Sequence, residues 1–215
     1  MSLITLTDPR SPISEAYRTL RTNLAFYSLD DPIKTLVVTS PTPDEDKSEA
    51  AANLAVTVAQ SGRRTILVDS DLRRPILHTF FDTNNENGLT NVILDDKQEL
   101  PLQKTAVDNL FLLASGPKPP NPADLLGSRQ IDRIIEQLTS QADLVIFDAP
   151  PVVAVTDAVV LGAKVDGVLL VLKAGKSRRD HAERAQQTLA KANVRIIGAA
   201  LLNAPPDNSL SDYYG

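Results

Sequence analysis

Four charged side chains and one hydroxyl stand where they could hold a metal-bound phosphate. Lys47 and Ser48 follow the apolar run TLVVTS, Asp69 and Asp71 close the run TILVDSD, and Asp148 closes LVIFDA. An apolar run that ends on Asp fixes its carboxylate at the tip of a buried strand, and a hard cation such as Mg²⁺ prefers such oxygen ligands. A Lys-Ser pair between a strand and a helix is the end of a phosphate-binding loop. One strand ending in Asp is equally well explained as a helix cap. Three such carboxylates beside a Lys-Ser loop point to a Mg²⁺-nucleotide site.

The elements that must carry these residues follow from the hydrophobic pattern. The runs TLVVTS, TILVDS, LFLLAS, LVIFDA, GVLLVLKA and RIIGAALLN are rich in Val, Leu and Ile and do not alternate with polar residues. Strands buried on both faces, as in a parallel sheet, read this way. Between most of them lie segments of helical length and period, KSEAAANLAVTVAQSG, SRQIDRIIEQLTSQ and SRRDHAERAQQTLAKAN. Alternation of the two predicts one α/β domain over 1–215, a doubly wound, mainly parallel sheet with helices on both faces. Ligands bind such sheets at the carboxyl ends of the strands, so the residues above are expected on one edge. SGPKPPNPADLL, with four prolines, is expected to be an extended loop before a helix, and DTNNENG another loop.

Composition removes several alternatives. At 215 residues and 42% hydrophobic content the chain can bury one sizeable core. A net charge of −5 argues against a general nucleic-acid binder. The absence of cysteine excludes disulfides and thiolate metal sites. Two separated histidines, His78 and His181, do not make a metal site. No apolar run is long enough to span a bilayer, and MSLITL lacks the features of a secretory signal. A cytoplasmic protein is expected.

Ahead of the first strand, SPISEAYRTLRTNLAFYS reads as a helix. Ile13, Tyr17, Leu20 and Leu24 form its apolar stripe, and Glu15, Arg18 and Arg21 a second one at steps of three. From spacing alone the second stripe is a solvated face with ion pairs worth a few tenths of a kcal/mol.

Taken together, LVVTSPTPDEDKSEAAANLA, ILVDSDLRRP, SGPKPPNPADLL, LVIFDAPPVVAVTDA and VDGVLLVLKAGKSRRD resemble the bacterial tyrosine kinases (BY-kinases) of capsule and exopolysaccharide assembly. The resemblance covers nearly the whole chain. It implies that Lys47 and Ser48 hold phosphates and Mg²⁺, and that Asp69 and Asp71 contact Mg²⁺ and help activate a tyrosine hydroxyl. Asp148 is implied as a further Mg²⁺ ligand. Glu15, Arg18 and Arg21 match a motif that joins subunits into a ring, within an oligomerisation region over 1–30. Tyr213 and Tyr214, in a tail over 203–215, stand where the family carries autophosphorylated tyrosines. A transmembrane activator, fused or separate, is the implied partner, and it would hold the domain at the inner face of the membrane. A ParA/MinD-like positioning ATPase shares the sheet, but its loop carries an early lysine where this chain has Pro41-Thr42-Pro43.

The loop departs from the family's G-E-G-K-[ST]-[ST]. It reads Asp44-Glu45-Asp46-Lys47-Ser48-Glu49, with four acids against one lysine. Like charges at ~4 Å repel by about 1 kcal/mol in water and about 4 kcal/mol at an effective dielectric of ~20. Asp46 and Glu49 also have the spacing of an N-capping box. The expectation is therefore a capped helix start in which carboxylates displace the phosphate from Asp44, Asp46 and Lys47, weakening or abolishing Mg-ATP binding. A fully active tyrosine autokinase is the alternative.

Overall fold

The computed structural model describes residues 2–27, 32–95 and 99–205. In chain order the elements are α1 (Ile4–Thr7), α2 (Pro12–Tyr27), β1 (Thr35–Thr39), α3 (Lys47–Gln60), β2 (Thr65–Asp69), α4 (Leu77–Phe80), α5 (Leu89–Leu94) and β3 (Gln103–Lys104). There follow β4 (Leu110–Leu113), α6 (Pro122–Gly127), α7 (Arg129–Thr139), β5 (Leu144–Asp148), α8 (Asp157–Gly162), β6 (Gly167–Lys173), α9 (Arg179–Lys191) and β7 (Ile196–Leu202). Among the described residues seven strands form one sheet in the order β3-β4-β2-β5-β1-β6-β7. Every pairing is parallel except that of β3 with β4, as the doubly wound expectation required.

Strand alternation divides the core between the two faces. Leu36 and Val38 of β1, Leu67 of β2 and Ile146 of β5 pack with α1–α4 on one face. Val37, Ile66, Val68, Val145 and Phe147 pack on the other, against helices that include α5, α7 and α8. Helix α3 is buried over most of its circumference. Its Ala50, Ala51, Ala52, Ala55 and Ala59 present no side chain beyond Cβ, which lets its backbone approach the sheet. The central strands β1, β2 and β5 are buried at every position because both faces are covered.

Three details differ from the sequence reading. Strand β7, read from RIIGAALLN as buried on both faces, lies at the edge of the sheet with Gly198, Ala199 and Leu201 exposed. The two-residue strand β3 at the sheet edge carries no hydrophobic pattern and was not foreseen. On α2, Ile13 is exposed, and the packed positions are Ser14 and Tyr17, with Leu20 and Leu24 half-buried. Ser14 instead donates to the main-chain oxygen of Asp8 at 2.7 Å, fixing the entry of the helix. Among the described residues no helix is long and apolar enough to cross a membrane.

Candidate active site

The carboxyl ends of β1, β5 and β2 lie side by side in the sheet, and each delivers one part of the site. Val38 is paired with Asp148, and Asp148 with Asp69. The chain leaves β1 into the loop that ends at Lys47, the first residue of α3. Ser70 ties the neighbouring ends together, since its N–H (3.0 Å) and its hydroxyl (2.6 Å) both donate to the main-chain oxygen of Asp148.

Lys47 Nζ lies 2.9 Å from Asp148 Oδ1 and 3.0 Å from Asp71 Oδ2. The Ser48 hydroxyl donates to Asp148 Oδ2 at 2.5 Å. Asp71 Oδ1 accepts the Arg74 N–H at 3.0 Å. Asp69 turns elsewhere: its Oδ2 accepts the N–H groups of Ile76 (3.0 Å) and Leu77 (2.9 Å), while Oδ1 is buried without a partner among the described residues. Lys47, Ser48, Asp71 and Asp148 therefore form one bonded cluster, with Asp69 buried behind it.

Burial pushes the carboxyl of Asp69 well above the usual range, and the charge of Asp148 adds to the effect. Asp148 is also pushed up by burial, against the opposing pull of Lys47 and the Ser48 hydroxyl. For Lys47 burial acts to lower the ammonium's pKa, but the two carboxylates outweigh it and the net shift is upward.

The loop does not form the capped helix start expected of it. Asp44 and Asp46 adopt left-handed backbone angles, φ 61° and 55°. These are the two positions at which the family loop carries glycine. N-capping requires an extended residue whose side chain folds over the first-turn amides. The left-handed Asp46 makes no side-chain cap bond. Its carboxylate meets Lys173 Nζ instead, and Asp44 Oδ2 lies 3.8 Å from Lys176 Nζ. Among the described residues, no hydrogen bond engages the N–H groups of residues 44–49, and the first amide of the helix to be satisfied is that of Ala50, by Asp46 O at 2.9 Å. The acids have kept the loop's handedness and left its amides open. Glu45 is buried, with Oε1 accepting the Thr42 hydroxyl at 2.6 Å and Oε2 without a partner among the described residues.

A cavity of about 510 Å³ opens above this cluster, lined by the loop, by Asp71, Arg73 and Arg74, and by Phe80, Pro150 and Pro151. Arg73 grips the buried Asp157 through two bonds, Nε at 2.9 Å and a terminal nitrogen at 3.0 Å. It joins the turn that carries Asp71 to the start of α8. Sequence reasoning singled out neither this pair nor Lys173 and Lys176. The available signal was a cation after a strand that abuts the phosphate-loop strand.

The open amides, Lys47 and the oxygen set of Ser48, Asp71 and Asp148 fit a Mg²⁺-bound polyphosphate. Among the described residues no three of His, Cys, Asp and Glu group as ligands for one metal ion. Mg²⁺ needs only one or two carboxylates beside water and substrate phosphates, so the set suffices.

Elsewhere, Arg18 pairs with Glu15 at 2.6 Å on the surface of α2. Arg21 is separated from them: its guanidinium donates to Thr57 O of α3 at 3.1 Å. Steps of three on a helix drift by about 60° each, so the third member of the stripe reaches the packed side. Tyr213 and Tyr214 lie outside the described residues.

No family model matches the chain. The tyrosine-protein kinase YwqD of Bacillus subtilis is 42% identical over 213 residues, spanning 99% of this chain and 90% of that protein. The putative tyrosine-protein kinase CapB of Staphylococcus aureus is 38% identical over 207 residues, 96% of this chain and 91% of that protein. Among solved structures, the kinase domain of the Escherichia coli tyrosine kinase ETK superposes with a TM-score of 0.91 at 33% identity, covering 97% of this chain and 82% of that one. Against full-length etk the chain spans 27% of the protein. The septum site-determining protein MinD of Pyrococcus horikoshii, solved with Mg-ADP, reaches a TM-score of 0.66 at 20% identity and shares the fold alone.

Proposed function

Since the chain belongs to the bacterial tyrosine-protein kinase family, we propose that it is an ATP- and Mg²⁺-dependent protein-tyrosine kinase of capsule or exopolysaccharide assembly, with a working phosphate loop. The observation that supports this most is the loop itself, left-handed at Asp44 and Asp46 with the amides of residues 44–49 unengaged. A helix start with free N–H groups and a lysine is an anion receptor.

ATP would supply the phosphoryl group, and Mg²⁺ would offset its charge. The loop amides and Lys47 would bind the phosphates, and Ser48, Asp71 and Asp148 would hold the metal. Asp71 faces the cavity and takes the proton of the acceptor tyrosine. Asp69 is fully buried and held by two amides, so it sets the shape of the turn that presents Asp71. The acceptors are Tyr213 and Tyr214. Glu15 and Arg18 of one subunit meet another in a ring, and a membrane activator recruits the domain.

A second reading keeps the family role but weakens the nucleotide, and the four acids within residues 44–49 favour it. Titration calorimetry with Mg-ATP separates the two. The kinase reading expects sub-millimolar binding and labelling of the tail tyrosines. A dissociation constant of about 1 mM or weaker, near −4 kcal/mol, overturns it in favour of the second.

A further inference from the structure

The two acids at the glycine positions each face a lysine from the same short turn. Asp46 is bonded to Lys173 and Asp44 lies beside Lys176. Strand β6 ends at Lys173 and is hydrogen-bonded to β1, the strand that feeds the loop, so its carboxyl end emerges next to residues 44–46. The turn that follows is fixed by its own bonds. Lys173 N–H donates to the Ser177 hydroxyl at 2.7 Å, Ser177 N–H to Lys173 O at 2.8 Å, and Ala174 N–H to Leu202 O of β7 at 2.8 Å. Gly175, at φ 75° with open space around it, completes the reversal that brings Lys176 to the same side.

Resting on the kinase reading, we propose that Lys173 and Lys176 belong to the nucleotide site, supplied by the β6–α9 turn to cancel the charge of Asp46 and Asp44. Within residues 44–49 four carboxylates face one ammonium, an excess of three negative charges. The two lysines reduce that excess to one. They also hold the aspartate side chains toward the turn and leave the amides clear. Specificity for a polyanion then depends on a pairing that neither segment contains alone.

The test is calorimetry of Mg-ATP on six proteins: wild type, Lys173→Ala/Lys176→Ala, Asp44→Gly/Asp46→Gly, the quadruple variant carrying all four changes, Arg178→Ala, and Lys47→Ala as the non-binding reference. The lysine pair is partly exposed, and its removal leaves the core intact. The inference expects the double lysine variant to bind at least tenfold more weakly than wild type. It expects the quadruple variant to return to within about threefold of wild type, because the charge to be cancelled is gone. Arg178, whose guanidinium pairs with Asp180 on the surface, is expected to leave affinity unchanged. If wild type binds and the double lysine variant binds equally well, the inference is overturned while the kinase reading stands. If the quadruple variant stays as weak as the lysine variant, the lysines act through something other than the aspartates, and the inference is again overturned. If wild type fails to bind and the glycine variant binds, the acids are uncompensated and the inference fails. If neither binds, the kinase reading fails and takes the inference with it.

Discussion

Asp69 and Asp148 stand opposite each other as register partners on adjacent parallel strands, and both are wholly buried. Lys47 reaches Asp148 but not Asp69, so the two carboxyls share one cluster with unequal compensation. That inequality sets the order in which the site responds to substitution and to pH.

Asp69→Asn is expected to stabilise the protein. The carboxyl of Asp69 has a folded-state pKa raised by burial, so the folded chain holds this proton more tightly than the unfolded one. Its contribution is fully present below the unfolded carboxyl range near ~3.9 and is lost as pH rises through the folded value. Asparagine keeps an acceptor for the Ile76 and Leu77 amides and never ionises. Urea unfolding across a pH series should show no gain at about pH 4. Above it the gain should grow by about 1.4 kcal/mol per pH unit, levelling off once the folded carboxyl has ionised. A loss that instead grows as pH rises above about 4 would mean that the ionised form is the one the fold uses.

Lys47→Met should do more than remove a phosphate ligand. It leaves Asp71 and Asp148 buried without their cation, a change that typically costs about 3–5 kcal/mol. Protonation of Asp148 relieves part of this, so the loss should shrink toward acid pH. Lys173→Met removes a more exposed pair and should cost less than about 1 kcal/mol. Thermal unfolding of the two variants side by side checks the ranking. Lack of activity in Lys47→Met would then need a folding control before it speaks about chemistry.

Charge reversal on α2 has to be split. Among the described residues Arg18 pairs only with Glu15 and the main-chain oxygen of Pro9, whereas Arg21 holds α2 to α3 through Thr57 O. Arg18→Glu is therefore the clean probe of self-association and should move the sedimentation profile toward monomer with unchanged thermal stability. Arg21→Glu should lower stability as well, by about 1 kcal/mol for the lost bond. If Arg18→Glu leaves an oligomeric wild-type profile untouched, subunits meet elsewhere.

Arg73→Lys keeps the charge and loses the two-pronged contact with Asp157. The guanidinium is partly exposed, so the stability loss should be modest, about 1 kcal/mol. The larger effect should fall on turnover, through looser placement of Asp71, with Mg-ATP affinity changed little. Steady-state kinetics at saturating ATP reads it.

What the sequence made legible follows from where the physics is local. Five of the six apolar runs announced buried strands because both faces of the sheet are covered there, whereas the sixth, β7, is an edge strand with Gly198, Ala199 and Leu201 exposed. Asp69, Asp71 and Asp148 could be placed because each ends such a run. Strand β3 escaped since two polar residues carry no period. Asp46 was misread because its spacing to Glu49 fits a capping box, while its backbone handedness depends on a loop whose partners, Lys173 and Lys176, come from more than 120 residues away. That Arg21 also reaches Thr57 O of α3 was not legible, because counting in threes along a helix that turns in 3.6 does not show which face the third position meets.

The left-handed angles at Asp44 and Asp46 bear on how such loops change over generations. Asparagine and aspartate tolerate that handedness better than other residues with a side chain, at a strain of about 1 kcal/mol. The alphabet open to these two positions is thus Gly, Asn and Asp, and drift between them leaves the backbone path intact. The identity of the loop lies in the sign of two torsions, and its letters are free to wander as far as the neighbouring strand can follow with charge.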